Sequence, residues 1–295
     1  MNLSVASRRA FLHRSVLCLG ASAAASLFAA DPSRKPSLRL GLVTDLHYAE
    51  KDPMGTRHYR ETRGKLEEAV AAFNAEPLAA AVCLGDFIDQ APSVENEIEW
   101  LWTIEKLFAT TKAPRHYVLG NHCVGTLTKA EFAAHTAASH TPHYSFDQGG
   151  IHFVVLDACY RSDGENYGRR NFDWTDANIP PHELAWLRAD LAKTSLPTVV
   201  FVHQRLDESG KHSIRNAAEV RTELERPAKV LAVFQGHSHQ NDYQQIAGIH
   251  YCTLVAMVEG SGAENSGYAT MEIMEDHSIR VHGFRRQMSR EFAPA

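Results

Sequence analysis

The sequence predicts an α/β fold of two packed sheets flanked by helices. Short apolar runs rich in Val and Leu alternate with amphipathic helical stretches through the first two thirds. The last third then changes to successive strands with Gly-rich turns, so the βα part carries strand-rich additions. At 295 residues the chain could be one large domain or two small ones, and polar motifs decide this. They run from position 45 to position 239 and would be separated by any cut between them, which favours one domain.

In chain order, residues 1–30 stand apart as an expected signal peptide, leaving 31–295 as the domain. Ser7-Arg8-Arg9-Ala10-Phe11-Leu12 has the form of a twin-arginine export signal, and an apolar stretch from Val16 to Ala30 follows. That stretch is shorter than the roughly 20 apolar residues of a membrane span, so removal is expected rather than retention as an anchor. Leu17 before Cys18 argues against lipidation. The expectation is a folded cargo of the twin-arginine machinery, with no transmembrane span in the mature chain, delivered to the bacterial periplasm or envelope.

Leu38–Thr44, Ala79–Leu84, His116–Leu119, Thr198–Val202 and Lys229–Phe234 read as buried strands. Glu61–Asn74 sets Leu66, Ala69, Val70 and Phe73 at helical spacing, and Val94–Phe108 does so with Ile98, Leu101 and Ile104. Thr128 with Glu131 reads as a capping box, and Pro181–Lys193 is a helix with a Leu/Trp face. Trp100, Trp102 and Trp186 are assigned to the core. Asp242–Met257, Tyr268–Met274 and Ser278–Phe284 read as the late strands. Tyr160–Pro180 is an aperiodic loop carrying Tyr167, Arg169, Arg170, Phe172 and Trp174. It is expected to cover a sheet edge, with a stacking wall for a leaving group as the alternative; Ser209–Asn216 is a lesser candidate.

The formal charge of −5 and the scattered basic residues leave no nucleic-acid footprint. No serine nucleophile, P-loop or dinucleotide fingerprint is present. Beyond Cys18, four cysteines remain, at 83, 123, 159 and 252. An oxidising compartment would permit bridges between them. Cys83 and Cys252, however, lie in strand-like runs as small buried hydrophobes, so no disulfide framework is expected.

Five motifs carry the chemistry: Asp45-Leu46-His47, Gly85-Asp86, Gly120-Asn121-His122, His203, and Gly236-His237-Ser238-His239. Each follows an apolar strand-like run, and side chains at the carboxyl ends of neighbouring strands meet in one crevice. Carboxylate, amide and imidazole groups are ligands for divalent cations, and a dinuclear site needs about seven of them. Asp45, His47, Asp86, Asn121, His203, His237 and His239 make that number. Glycines 85, 120 and 236 are expected to turn the chain with positive φ.

This arrangement resembles the calcineurin-like metallophosphoesterases. The resemblance implies a four-layer αββα sandwich of two mixed sheets flanked by helices. It also implies two divalent metal ions: Asp45, His47, Asp86 and His239 would hold one, and Asp86 would bridge to a second held by Asn121, His203 and His237. His122 would be the acid that binds no metal, with Asn121 orienting its loop. Manganese, iron or zinc would serve. The chain departs from the family pattern in having His203-Gln204-Arg205 where His-x-Pro is common, and Cys123 where an acidic residue often tunes the histidine before it. Unless another carboxylate fills in, His122 is expected to be weakly tuned.

A narrower resemblance joins Asp45–Glu50, Gly55–Arg60 and Met257–Gly260 to the manganese-dependent ADP-ribose/CDP-alcohol diphosphatases. It favours manganese and makes Arg57, His58 and Arg60 candidates to grip a distal phosphate, since guanidinium geometry suits bidentate contacts. Small-molecule phosphate ester or diphosphate hydrolysis is therefore the expected activity. A broad exported phosphomonoesterase or phosphodiesterase is the alternative, and an inactive metal-bound interaction module comes last.

Overall fold

The chain was described as a computed structural model over residues 35–294. Residues 1–30, expected to be a signal peptide, lie outside the described residues together with Cys18. Among those described, no helix is long and apolar enough to cross a membrane.

Two six-stranded mixed sheets form the centre. In the first, β1 (Leu38–Val43), β2 (Ala80–Cys83) and β3 (Arg115–Tyr117) run parallel; β10 (Gly267–Ile273), β11 (Ile279–Arg285) and β12 (Arg290–Phe292) extend it antiparallel from β1. In the second, β5 (Ile151–Val155), β6 (Thr198–Phe201), β7 (Val230–Gln235) and β9 (Ile249–Thr253) are parallel. Antiparallel β4 (Tyr144–Gln148) and β8 (Asp242–Ile246) close its edges.

The period-2 pattern of the strands sorts their side chains between layers. Leu40 and Leu42 of β1, Val82 of β2, Phe153 of β5, Phe201 of β6 and Met271 of β10 share the core between the sheets. Alternate residues Val43, Ala81 and Cys83 face outward, against α1 (Thr62–Ala75) and α2 (Val94–Phe108) through Leu66, Val70, Leu101 and Ile104. On the other side Val154, Val200 and Val233 meet Leu187 and Leu191 of α4 (Pro181–Lys193) and Val220 and Leu224 of α5 (Ala217–Glu225). Each buried Leu, Val or Phe contributes about 1.5–3 kcal/mol. The result is the expected four-layer sandwich. Helix ends are satisfied locally: Thr128 and Glu131 form the expected capping box at α3 (Lys129–Ala134), and Ser93 caps α2.

The structure corrects several element expectations. Asp242–Met257 is no single strand but a hairpin, because Ala247 and Gly248 both take positive φ (50° and 87°) and reverse the chain between β8 and β9. The β4–β5 hairpin and α5 are additional elements. Gly149-Gly150, with φ 58° and 80°, was the available signal for that hairpin. Trp102 is not core: it is 52% exposed and donates from its indole nitrogen to His135 Nδ1 at 3.1 Å.

Candidate metal centre

Because β1, β2 and β3 are mutually parallel, as are β5, β6, β7 and β9, each sheet gathers several carboxyl ends along one edge. Asp45 and His47 follow β1, Asp86 follows β2, Asn121 and His122 follow β3, His203 follows β6, and His237 and His239 follow β7. The chain turns at these points at a backbone cost. Asp45, His47, Asp86, His237 and His239 all sit in the left-handed region, at φ 51°, 45°, 46°, 68° and 61°. Such residues cost about 1–3 kcal/mol each and persist where their surroundings over-determine them. Gly85 also turns with φ 109°.

Gly120 and Gly236 depart from the positive-φ expectation and are required for space instead. A Cβ at Gly120 would lie 2.8 Å from Asp86 Cγ, and one at Gly236 would lie 2.5 Å from Asp45 Oδ2. In both places the backbone approaches a ligand carboxylate too closely for any side chain.

The side chains form two buried groups, Asp45–His47–His239 and Asp86–His203–His237. In the first, His47 Nε2 and His239 Nε2 are 3.1 Å apart, with Asp45 Oδ1 at 3.7 and 3.4 Å from them respectively. The outer nitrogens are occupied: His47 Nδ1 meets Asp89 Oδ2 at 3.2 Å and His239 Nδ1 meets Glu259 Oε1 at 2.6 Å. With Nδ1–H donating in each ring, both Nε2 lone pairs face the same point, where neither can donate to the other. A cation resolves that arrangement.

In the second group, His203 Nδ1 donates to Leu84 O at 2.9 Å, and its Nε2 lies 3.1 Å from Asp86 Oδ2 and 3.3 Å from His237 Nδ1. Asp86 Oδ2 is also 3.4 Å from His47 Nε2, so one carboxylate oxygen serves both groups. Its other oxygen accepts from the His122 backbone N–H at 2.8 Å. Asn121 Oδ1 and His237 Nε2 are buried without any hydrogen-bond partner. An orphaned buried acceptor such as Asn121 Oδ1 asks for an ion or water, and the unpartnered His237 nitrogen leaves that ring's tautomer open to the needs of a ligand at Nδ1. Six of the seven expected ligands are thus brought together, Asn121 follows β3 with its Oδ1 buried and unpartnered, and the mixed oxygen and nitrogen donors fit a pair of divalent cations.

Against burial, the surrounding carboxylates raise His47 and His203, and Asp45 and Glu259 raise His239 to about 9, so protons compensate the carboxylates where cations would. Burial works against ionisation of Asp86, yet His203, His122 and His47 hold its carboxyl well below the usual range. Asp45 is likewise held low, against burial, by His203, His239 and His47. Burial, reinforced by His203, pushes His237 well below the usual imidazole range and keeps it neutral, as a ligand must be.

His122 is partly exposed at the edge of this cluster. The carboxylate absent at position 123 is supplied by Asp89, whose Oδ1 lies 3.3 Å from His122 Nδ1 while its Oδ2 contacts His47. Against burial, His122 and His47 keep the Asp89 carboxyl well below its usual range. His47, Asp89 and His122 also cluster closely enough to hold a cation. We assign Asp89 to orienting the two rings instead, because both imidazoles meet it through Nδ1, which points His47 Nε2 at the Asp45–His239 group and leaves Nε2 of His122 to handle a proton. Cys123 plays no charged part: its Sγ accepts from the Phe87 N–H at 3.3 Å, and burial pushes its thiol up to about 12. Cys83, Cys159 and Cys252 are also buried free thiols. Sequence reading missed Asp89, three residues beyond Asp86, and the role of Glu259.

The turn after His203, which lacks the family's proline, is held by side-chain contacts instead. Buried Arg205 forks onto Asp207 at 2.9 and 2.8 Å and reaches Asp242 at 2.6 Å.

The three candidate substrate residues separate. Arg57 bridges the backbone of Glu259 and places Nη1 3.9 Å from Asp89 Oδ2, at the rim of the cluster. His58 pairs with Glu61 at 3.0 Å, and Arg60 with Glu50 and Asp52 at 3.1 and 2.8 Å. Lys51, which sequence reading passed over, reaches Asp89 Oδ1 at 2.9 Å.

The loop at 160–180 lies along the metal edge. Phe172 stands 5.7 Å from the His122 ring, and Trp174 is 6.0 Å from His237 and 5.5 Å from His212. Arg169 ties the loop to Glu131 and Arg170 ties it to Gly125 and Ala91, each in the left-handed region.

The family model described as calcineurin-like phosphoesterase matches residues 38–241. No curated protein sequence matches the chain. Among solved structures, a dimetal phosphatase from Danio rerio superposes with a TM-score of 0.78 at 19% identity, covering 88% of this chain and 100% of that one. A purple acid phosphatase from yellow lupin seeds gives 0.57 at 14%, over 87% of this chain and 54% of its own. The anchor in the inner membrane complex of Plasmodium gives 0.56 at 14%, over 88% and 89%. At these identities the likeness is one of fold.

Proposed function

The chain belongs to the calcineurin-like phosphoesterase family, and from that premise we propose that it hydrolyses the phosphoanhydride bond of nucleotide diphosphate conjugates such as ADP-ribose or CDP-alcohols. The observation that carries the diphosphate reading is Arg57 at the rim beside Asp89, together with Lys51 on the same carboxylate. These cations stand next to the proton-holding His122, where a leaving group bearing its own phosphate would need charge. Phe172, Trp174 and His212 add an aromatic wall able to stack on a base.

When bound, a pair of divalent cations supplies positive charge for the phosphoryl oxygens and acidifies the attacking water. The chain's residues do the rest. Asp45, His47 and His239 would hold one cation and Asn121, His203 and His237 the other, with Asp86 serving both. As water oxygen bonds to phosphorus and the bond to the leaving oxygen breaks, His122 Nε2 delivers a proton to that oxygen while Asp89 steadies the imidazolium. The resemblance of residues 45–60 and 257–260 favours manganese for the pair.

A broader phosphomonoesterase or phosphodiesterase is the second reading. It is favoured by His58 and Arg60, which are already paired with carboxylates. Manganese-loaded protein should be assayed on ADP-ribose, a CDP-alcohol, an aryl monoester and an aryl diester. The diphosphatase reading expects Arg57→Ala to lower kcat/KM on ADP-ribose about tenfold to a hundredfold more than on the monoester, the scale of one charge-assisted contact. Equal, small losses on both would establish the broad enzyme.

We further propose that residues 1–30 direct export by the twin-arginine route to the bacterial envelope. Fractionation of cells expressing the chain with Arg8 and Arg9 changed to Lys should find it retained inside, whereas unchanged export would refute the route.

A further inference from the structure

Lys65 lies on the buried face of α1 and is only 1% exposed. It is a full ammonium in the interior, and among the described residues no carboxylate pairs with it. Its three donors are all used on one segment: Nζ donates to Met257 O at 2.9 Å, Glu259 O at 3.0 Å and Gly260 O at 2.7 Å. Burying a cation whose direct partners are neutral carbonyls is expensive, and burial lowers this ammonium to about 8 although the charges of Glu61, Glu259 and Glu264 oppose the fall. A Met or Leu would fill the space without that cost, so the three bonds need a purpose beyond packing.

The segment they fix is the one on which the Asp45–His239 side of the centre rests. Met257 N–H donates to Thr44 O at 3.1 Å and Val258 N–H to Asp45 O at 3.0 Å, beside the left-handed turn of Asp45. Glu259 Oε1 then accepts from His239 Nδ1 at 2.6 Å and aims the His239 ring. Gly260 N–H donates to Thr56 O at 2.7 Å, which ties in the rim loop of Arg57. The turn carrying Glu259 is held from outside as well, by His58 N–H to Val258 O at 2.9 Å and by Gly262 N–H to Glu61 Oε2 at 2.7 Å, but Lys65 is the group that reaches the carbonyls of Met257, Glu259 and Gly260 together. Without the ammonium, three inward-facing carbonyls would lose their donor together, and the segment around Glu259 would re-aim to satisfy them.

We propose that Lys65 is a positioning residue for the metal position formed by Asp45, His47 and His239, acting through the backbone of 257–260 and the carboxylate of Glu259. The proposal rests on the dinuclear reading of the site. It places a determinant of metal affinity on α1, outside the strand-edge loops that supply the ligands. Groups that orient a metal-bound histidine typically change affinity about 10- to 100-fold, and Lys65 should act on that scale at one position only.

The test is a calorimetric titration of metal-stripped protein with Mn²⁺, read alongside the Mn²⁺ paramagnetic resonance spectrum. Wild-type protein should take up two ions and give a spin-coupled spectrum; one ion or none would overturn the dinuclear reading itself, whatever Lys65 does. Lys65→Met should weaken one binding step about tenfold or more, leave the other nearly unchanged, and give an uncoupled signal at Mn²⁺ levels that couple the wild type. Leu66→Ala, from the same buried helix face, should lower the melting temperature yet keep both steps and the coupled signal. Should Lys65→Met fail to fold, Lys65→Gln carries the same comparison with part of the donor set retained. Adding Glu259→Gln to either variant should cost no further affinity. Two wild-type binding steps in the Lys65 variants, equal weakening of both steps, the same loss in Leu66→Ala, or additive losses with Glu259→Gln would each overturn the proposal.

Discussion

Asn121 and His122 are neighbours with separable tasks. Asn121 offers a buried, unpartnered Oδ1, whereas His122 is held through Nδ1 by Asp89. Asn121→Ala should therefore lower metal occupancy. His122→Ala should leave the metals in place and reduce turnover of substrates with poor leaving groups by roughly a hundredfold or more, the scale of general acid catalysis. Aryl esters with good leaving groups should lose less. Metal content and two-substrate kinetics check both statements, and equal losses on the two substrates would remove His122 as proton donor. The ligands were legible in sequence because each follows its own strand and is a residue type that binds cations. The orienting groups were not. Asp89 reaches two histidines from within its own loop, and Glu259 reaches His239 from a segment twenty residues later in the chain. Such contacts depend on the folded path of the chain, which local pattern does not encode. The same holds for Gly120 and Gly236, whose need for space arises only once Asp86 and Asp45 are in place.

At the scale of elements, the buried strands announced themselves by apolar runs and the helices by their spacing. Half-buried Tyr144–Gln148, with Ser, Asp and Gln among its five residues, did not. The first turn of α4 carries a strain of its own. Glu183 is fully buried; its Oε1 accepts from the Asp157 N–H at 2.8 Å, and Oε2 lies 3.2 Å from His143 Nδ1. Asp157 in turn accepts from Lys129 Nζ at 2.5 Å. Burial raises the Glu183 carboxyl from 4.5 to about 7, with His143 opposing and Asp157 adding to the rise. A folded value above the unfolded one means that the native state binds more protons across that interval. The associated stability is fully present below about pH 4.5 and is lost as pH rises through about 7. Glu183→Gln keeps the oxygen that accepts from Asp157 and removes the charge. Thermal melts should show it gaining about 1–3 kcal/mol on the wild type at pH 8 and much less at pH 5. A difference independent of pH would contradict this account of α4.

For the whole molecule, the two sheets matter because neither alone completes the centre. Asp45, His47, Asp86 and Asn121 come from the first sheet, and His203, His237 and His239 from the second. The core of Leu40, Val82, Phe153 and Phe201 between the sheets therefore sets the spacing of the ligands. Metal binding should accordingly stabilise the fold as a unit, since ligand binding to the native state alone raises its stability. The most direct test of the central claim, a dinuclear hydrolytic site, is elemental metal analysis of the purified protein combined with phosphoesterase assay before and after chelation. The account predicts about two divalent ions per chain, loss of activity on their removal, and recovery on adding manganese. Full activity in metal-free protein, or fewer than about one ion after reconstitution, would contradict it.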